Sequence, residues 1–282
     1  MSSKIFREKI LMSLVSTEWL DQNLKNVKIL DASWHMPASN RNGFEEYKIG
    51  HISHSIFFDL DKNSDQNSSL PHMLADSFTW EKNISHLGIG NNDRIIIYDN
   101  SDVLSACRCW YNFIYYGHDP KLVSVLDGGF NKWKSEKRLT SNEISDLNFS
   151  NYRADEKKEM VKNKKQIDEN IIEKKFLVLD ARSKERFEGK IPDPRKDVRS
   201  GSIPGSCCLP FNTLIESDKT FKNLDELNNI FNNLTKNNEN LVFSCGSGVT
   251  ACVLALAYSL VNTTYVPTIY DGSWAEYGKI TS

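Results

Sequence analysis

Short apolar, β-prone runs alternate with longer helical patterns along this chain. Ile29-Leu30-Asp31-Ala32, Arg94-Ile95-Ile96-Ile97-Tyr98-Asp99 and Val125-Leu126-Asp127 in the first half read as strands, and so do Val178-Leu179-Asp180-Ala181, Leu241-Val242-Phe243 and Ile269-Tyr270-Asp271 in the second. The stretch from Val249 to Leu260, rich in Ala and Leu, reads as a helix. Strands separated by helical segments predict an α/β fold, each half a mostly parallel sheet flanked by helices.

The same segments recur in the same order in both halves. Ile29 to Ala32 matches Val178 to Ala181, Gly50-His51-Ile52 matches Gly201-Ser202-Ile203, and Leu126-Asp127-Gly128-Gly129 matches Tyr270-Asp271-Gly272-Ser273. The offset of about 145–150 residues exceeds a solenoid period and suits a duplicated domain. The polar, charged stretch after Thr140 reads as a linker. The expected organisation is a first domain over 1–140, a linker over 141–158 and a second domain over 159–282.

Length and charge narrow the function classes. A chain of 282 residues suits two ordinary domains. A net charge of -2 gives no reason to expect nucleic acid or a membrane surface as partner. No apolar run is long enough to span a bilayer. Met1 to Lys9 is mixed in charge and lacks the apolar core and cleavage site of a secretory signal, so a cytoplasmic location is expected. The six cysteines form no C-x-x-C pair and suggest a reducing compartment. Five of them, Cys107, Cys109, Cys207, Cys208 and Cys252, read as buried small apolar residues. Neither a metal site nor a nucleotide-phosphate loop is visible, and no cofactor is expected.

Cys245 differs. It opens Cys245-Gly246-Ser247-Gly248-Val249-Thr250 between a predicted strand and a predicted helix. Backbone N–H groups and a helix N-terminus stabilise a thiolate at such a junction. Gly246 and Gly248 are expected to let the loop curl round the sulfur, with Ser247 and Thr250 as hydroxyl donors. Ser247 also fits a plain turn, and Thr250 a helix cap. The equivalent first-half position is Asp99, in an acidic loop unsuited to a thiolate, so one half is expected to carry the chemistry. A cysteine phosphatase would need Arg six positions after the nucleophile, where this chain has Ala251.

From about Val15 to Gly278, these segments resemble the tandem rhodanese-domain sulfurtransferases, most closely their 3-mercaptopyruvate branch. The resemblance rests on Cys245-Gly246-Ser247-Gly248-Val249-Thr250, Asp180-Ala181-Arg182, Arg186-Phe187-Glu188-Gly189, Gly201-Ser202-Ile203-Pro204-Gly205 and Asp271-Gly272-Ser273-Trp274. Ser202 departs from the family's usual His, and the first-half turn at Ser53-His54 lacks Pro-Gly. The resemblance implies two rhodanese-like domains, the first non-catalytic. It implies transfer of sulfur from 3-mercaptopyruvate to a thiol or cyanide through a Cys245 persulfide, with release of pyruvate. A thiol acceptor such as thioredoxin is implied as partner. Arg186 and Arg195 are implied as substrate-binding residues, with Gly246, Gly248, Val249 and Thr250 around the substrate. Asp61 and His72 match the branch's acid/base pair, although His72 also fits an anchor for the long first-half loop. Arg182 and Arg199 compete for the substrate role, and Arg182 reads as a structural ion pair. Two alternatives stand beside this reading: a thiosulfate:cyanide sulfurtransferase, disfavoured by the neutral loop, and a persulfide carrier without turnover.

Overall fold

Every strand in the two main sheets runs parallel to its neighbours. The structure is a computed structural model that describes residues 13–235 and 240–280. Met1 to Lys9, read above as lacking a signal, lies outside the described residues. In chain order the elements are β1 (Leu14–Val15), α1 (Thr17–Asn23), β2 (Lys28–Asp31), α2 (Gly43–Ile49), β3 (His51–Ile52), β4 (Ser55–Phe57), α3 (Ser77–His86), β5 (Ile95–Tyr98), α4 (Ala106–Tyr115), β6 (Val123–Leu126), α5 (Gly129–Ser135) and β7 (Thr140–Ser141). The second half continues with β8 (Val161–Lys162), α6 (Lys164–Glu173), β9 (Leu177–Asp180), α7 (Lys184–Phe187), β10 (Cys207–Cys208), α8 (Leu224–Leu234), β11 (Leu241–Ser244), α9 (Ala251–Val261), β12 (Ile269–Tyr270) and α10 (Ser273–Tyr277).

The duplication seen in the sequence is a duplication of topology. The first sheet runs β4-β2-β5-β6-β1 and the second β10-β9-β11-β12-β8. Each pair of central strands is fully in register, Leu30 opposite Ile97 and Val178 opposite Val242. All four residues of β5 and of β11 are buried. A strand covered on both faces needs a continuous apolar run, and Ile95-Ile96-Ile97 and Leu241-Val242-Phe243 supply one. Helix α9 is apolar all round because most of its residues are buried, with Tyr258, Ser259 and Val261 only partly so. Side-chain caps fix other helix starts: Asn163 and Gln166 form a reciprocal capping box on α6, and Asn223 caps α8 through the Glu226 N–H at 3.0 Å.

The chain divides into two compact units, and the division differs from the sequence expectation in two respects. Among the described residues, the first unit holds those up to Gln66, Leu74–Lys157 and Ser217–Phe221, while the second holds Asn67–Met73, Lys158–Glu216 and those from Lys222 onward. Each half therefore contributes a short segment to the other half's unit. In the first unit the Phe221 N–H donates to Asp127 at 2.9 Å, and Lys132 pairs with Asp218 at 2.8 Å. Of the stretch 141–158 read as linker, residues 141–157 belong to the first unit. Ser150 N–H donates to Ser85 C=O, Asp155 N–H donates to Tyr116 C=O, and Tyr152 is buried with its ring stacked on His118. Gly117 explains part of this path: its φ is +80°, and a Cβ there would lie 2.8 Å from the Asp155 carbonyl oxygen. Polarity alone gives no hint of such packing.

Two of the five cysteines expected to be buried depart from that expectation. Cys107, Cys109, Cys245 and Cys252 are buried, whereas Cys207 and Cys208 on the edge strand β10 are only half-buried. All six are free thiols.

Candidate active site

The Cys245 loop is held at its start by three hydrogen bonds through its backbone. Strand β11 ends at Ser244, and Cys245 follows at 2% exposure. The Cys245 N–H donates to Ser273 Oγ at 3.2 Å, and its carbonyl accepts the Trp274 N–H at 3.0 Å. The Gly246 carbonyl accepts the Ala275 N–H at 2.9 Å. Helix α10 therefore grips the first two residues of the loop. The chain then turns at Gly248, where φ is +77°, a region that L side chains rarely enter. Gly246 has no positive φ, so only one of the two glycines serves the curl expected of both.

Helix α9 begins directly after the loop. Thr250 is its N-cap by position but makes no side-chain capping bond, so the capping reading of Thr250 finds no partner there. The aligned peptide dipoles of α9 leave partial positive charge at the end adjoining the loop. Val249 is buried, and the Cys252 thiol lies 3.2 Å from the Gly248 carbonyl.

The first unit shows what the same architecture does with an acid. Asp99 follows β5 as Cys245 follows β11, and its carbonyl accepts the Phe130 N–H at 2.9 Å, as that of Cys245 accepts Trp274. Its carboxylate accepts the Ala106 N–H at 2.7 Å and the Ser101 N–H at 2.9 Å. Ala106 is the first residue of α4. A carboxylate thus occupies the helix N-terminus from inside the loop. Burial pushes Asp99 up to about 6 even with these bonds.

Two arginines converge on Gly246. A Cβ built there would lie 3.6 Å from Nη2 of both Arg186 and Arg195. Arg195 Nη1 also donates to the Gly246 carbonyl at 2.9 Å. Both guanidinium groups share one acid, Asp193, whose side chain is 1% exposed. Asp193 Oδ2 accepts from Arg186 Nη2 at 2.7 Å and from Arg195 Nη2 at 3.1 Å, while Oδ1 accepts from Arg195 Nε at 2.8 Å and from the Arg195 backbone N–H at 3.1 Å. Burial alone would raise the Asp193 carboxyl, but Arg195 and Arg186 outweigh it and hold the group at about 2. Arg186 Nε is buried with no hydrogen-bond partner, a donor left over beside the loop.

The competing arginines are engaged elsewhere. Arg182 pairs with Asp180 at 2.7 Å, both buried, and lies 4.6 Å from the centre of the Trp274 ring. Arg199 lies 4.7 Å from the same ring centre.

His72 belongs to the second unit through the segment Asn67–Met73. Its Nδ1 lies 2.9 Å from Ser247 Oγ, its side chain is buried, and its φ is +61°. A non-glycine residue held in that region costs free energy that its surroundings must offset. Asp61 belongs to the first unit, where its carboxylate accepts the Trp34 indole N–H at 3.1 Å. The second unit thus brings together Cys245, Ser247, His72, Arg186 and Arg195 from the expected set. Sequence reasoning missed Asp193 and Ser273. The Pro192-Asp193-Pro194-Arg195 run was the available signal for the first, and it reads more readily as a turn.

Among the described residues, no group of three His, Cys, Asp or Glu side chains is arranged to hold a metal ion, and no helix is long and apolar enough to cross a membrane.

Comparison with known proteins gives a consistent picture. The rhodanese-like domain family matches residues 16–136 and again 163–279. The chain is 38% identical to the Arabidopsis thaliana thiosulfate/3-mercaptopyruvate sulfurtransferase 1, mitochondrial, over 94% of this chain and 75% of that protein. It is 36% identical to the Rattus norvegicus 3-mercaptopyruvate sulfurtransferase, over 95% of this chain and 93% of the relative. Among solved structures it resembles SseA from Escherichia coli, described among 3-mercaptopyruvate sulfotransferases, with a TM-score of 0.83 and 31% identity, covering 93% of this chain and 99% of that one.

Proposed function

The chain belongs to the rhodanese-like domain family, and from that premise we propose that it moves sulfur from 3-mercaptopyruvate to a thiol or cyanide through a persulfide on Cys245. The observation that carries this reading is the convergence of Arg186 and Arg195 on Gly246, the residue after Cys245. An α-keto acid presents a carboxylate and a carbonyl side by side, and paired guanidinium forks suit both oxygens.

The reaction balances without an external oxidant. The Cys245 thiolate attacks the donor's thiol sulfur, a sulfur–sulfur bond forms, and the donor's carbon–sulfur bond breaks. Its electron pair passes into the enolate of pyruvate. The proton of the transferred thiol then neutralises that enolate, leaving an ionised persulfide on Cys245. The acceptor, a thiolate or cyanide, takes the outer sulfur and regenerates the Cys245 thiolate. Two half-reactions predict ping-pong kinetics.

The remaining roles follow from position. Arg186 and Arg195 hold the carboxylate and favour charge on the carbonyl oxygen as the enolate forms. Ser247, hydrogen-bonded to His72, offers a hydroxyl to the sulfur, and His72 relays a proton. Asp61 enters as an acid/base residue on the family resemblance. Val249, Gly248 and Thr250 shape the loop. For location we propose a reducing compartment such as the cytoplasm, supported by six free thiols, and thioredoxin as one thiol acceptor.

Incubation with 3-mercaptopyruvate, with pyruvate assayed and the intact mass read for one added sulfur on Cys245, tests the proposal. The expected result is catalytic pyruvate release with a modified Cys245, both lost in Cys245→Ser. Substantial turnover by Cys245→Ser would sink it. Equal or greater kcat/KM with thiosulfate would favour the thiosulfate reading. Sulfur loading without turnover in the presence of small thiols would favour a carrier.

A further inference from the structure

We propose that Asp193 is a positioning and donor-selecting residue: its buried carboxylate fixes both guanidinium groups against the Cys245 loop and cancels one of their two charges. The inference rests on the reading of Arg186 and Arg195 as substrate ligands. Asp193 itself does not face the reacting atoms; it acts through the two arginines.

The geometry supports positioning. Arginine side chains are long and lose much rotamer freedom when ordered. Here the four donors on Asp193 come from Arg186 Nη2 and from Arg195 Nε, Nη2 and backbone N–H. That arrangement leaves Arg195 Nη1 for the Gly246 carbonyl and Arg186 Nε without a partner. Pro192 and Pro194 flank the acid and restrict the backbone that presents it. With its side chain 1% exposed, the carboxylate is shielded from the water that would otherwise screen the pair.

The charge supports selection. Two guanidinium groups and one carboxylate leave a single net positive charge beside Gly246. A keto acid brings one negative charge to that site. Thiosulfate brings two, and the loop from Gly246 to Thr250 adds no cation for the second. Asp193 therefore biases the site toward a singly charged donor, because it subtracts the charge that a dianion would use.

The test measures kcat and KM for both 3-mercaptopyruvate and thiosulfate in the wild type, Asp193→Asn and Asp193→Glu, with circular dichroism and Tm as checks on folding. In Asp193→Asn, kcat/KM for 3-mercaptopyruvate should fall on the order of tenfold, mainly through KM, as the arginines lose their common anchor. The ratio of thiosulfate to 3-mercaptopyruvate kcat/KM should rise roughly threefold to tenfold, which a purely structural role would not produce. Asp193→Glu keeps the charge and shifts the anchor, so the ratio should stay near the wild type while KM rises. A folded Asp193→Asn that loses both donors equally, or loses neither, overturns the proposal. If Asp193→Asn does not fold, Asp193→Glu decides: an unchanged KM, or a ratio moved toward thiosulfate, overturns it. Absence of transfer from either donor in the wild type would overturn the parent reading and this inference with it.

Discussion

Arg186 and Arg195 are nine positions apart and meet through a single buried acid. Truncating one of them does more than remove a substrate contact, because it leaves Asp193 short of a partner in a shielded site. Arg186→Ala should therefore lose roughly 2–4 kcal/mol of transition-state binding, read as kcat/KM for 3-mercaptopyruvate. An unchanged kcat/KM would remove Arg186 from the substrate role. His72 supplies a second residue-scale prediction. His72→Gln should lower kcat with Tm little changed if the ring relays a proton to Ser247, whereas a loss confined to Tm would mark an anchor. Cys245 was legible from its place in a glycine-bearing loop between a strand pattern and a helix pattern, whereas Arg186 and Arg195 were named only through the family resemblance, because an arginine in a polar loop otherwise reads as a solvated charge. Asp193 was not legible, since an acid between prolines has the composition of a solvated turn. Its role comes from burial against residues on either side of it, and burial is a property of the folded chain.

The two strand-loop-helix elements, β5 to α4 and β11 to α9, share one backbone design and differ in what fills it. Asp99 satisfies its helix N-terminus with its own side chain, while the Cys245 loop turns at Gly248. The two loop glycines should accordingly respond differently to the same substitution. Gly248→Ala forces a side chain into a positive-φ position and should destabilise by about 1 kcal/mol or more, seen as a lower Tm. Gly246→Ala meets only ordinary contacts at 3.6 Å and should leave Tm nearly unchanged. Its methyl group would stand next to both guanidinium groups and should raise KM. Equal Tm losses in the two variants would contradict this division of labour. The element order and parallel pairing were readable from apolar runs of strand length followed by helical patterns. Which glycine needed its freedom was not, because both occupy the same motif and only the observed φ distinguishes them.

At the scale of the molecule, acidic residues in different places pull stability in opposite directions as pH changes. Burial pushes Asp31, Asp99 and Asp127 in the first unit up to about 6. Their folded-state values lie above the unfolded one, so the native state takes up protons first and gains stability as pH falls through 6 toward 4. Asp193, despite burial, is held at about 2 by Arg195 and Arg186, and its contribution is present above about 4 and lost as pH falls toward 2. Thermal unfolding followed from pH 8 to pH 3 should show a Tm maximum between about pH 4 and 5.5, with a smaller acid-side gain in Asp99→Asn. A Tm that only declines from pH 8 downward would refute the assignment. The duplication itself was visible in the chain, but the exchange of short segments was not. Asn67–Met73 and Ser217–Phe221 have nothing in their composition that marks them for the opposite unit. That exchange bears on synthesis. A ribosome delivers the first half complete in its strands and helices, yet Asp127 and Lys132 must wait for Phe221 and Asp218 to emerge. The earlier-made half is thus finished by the later one, and a transcript cut between them would encode neither unit whole.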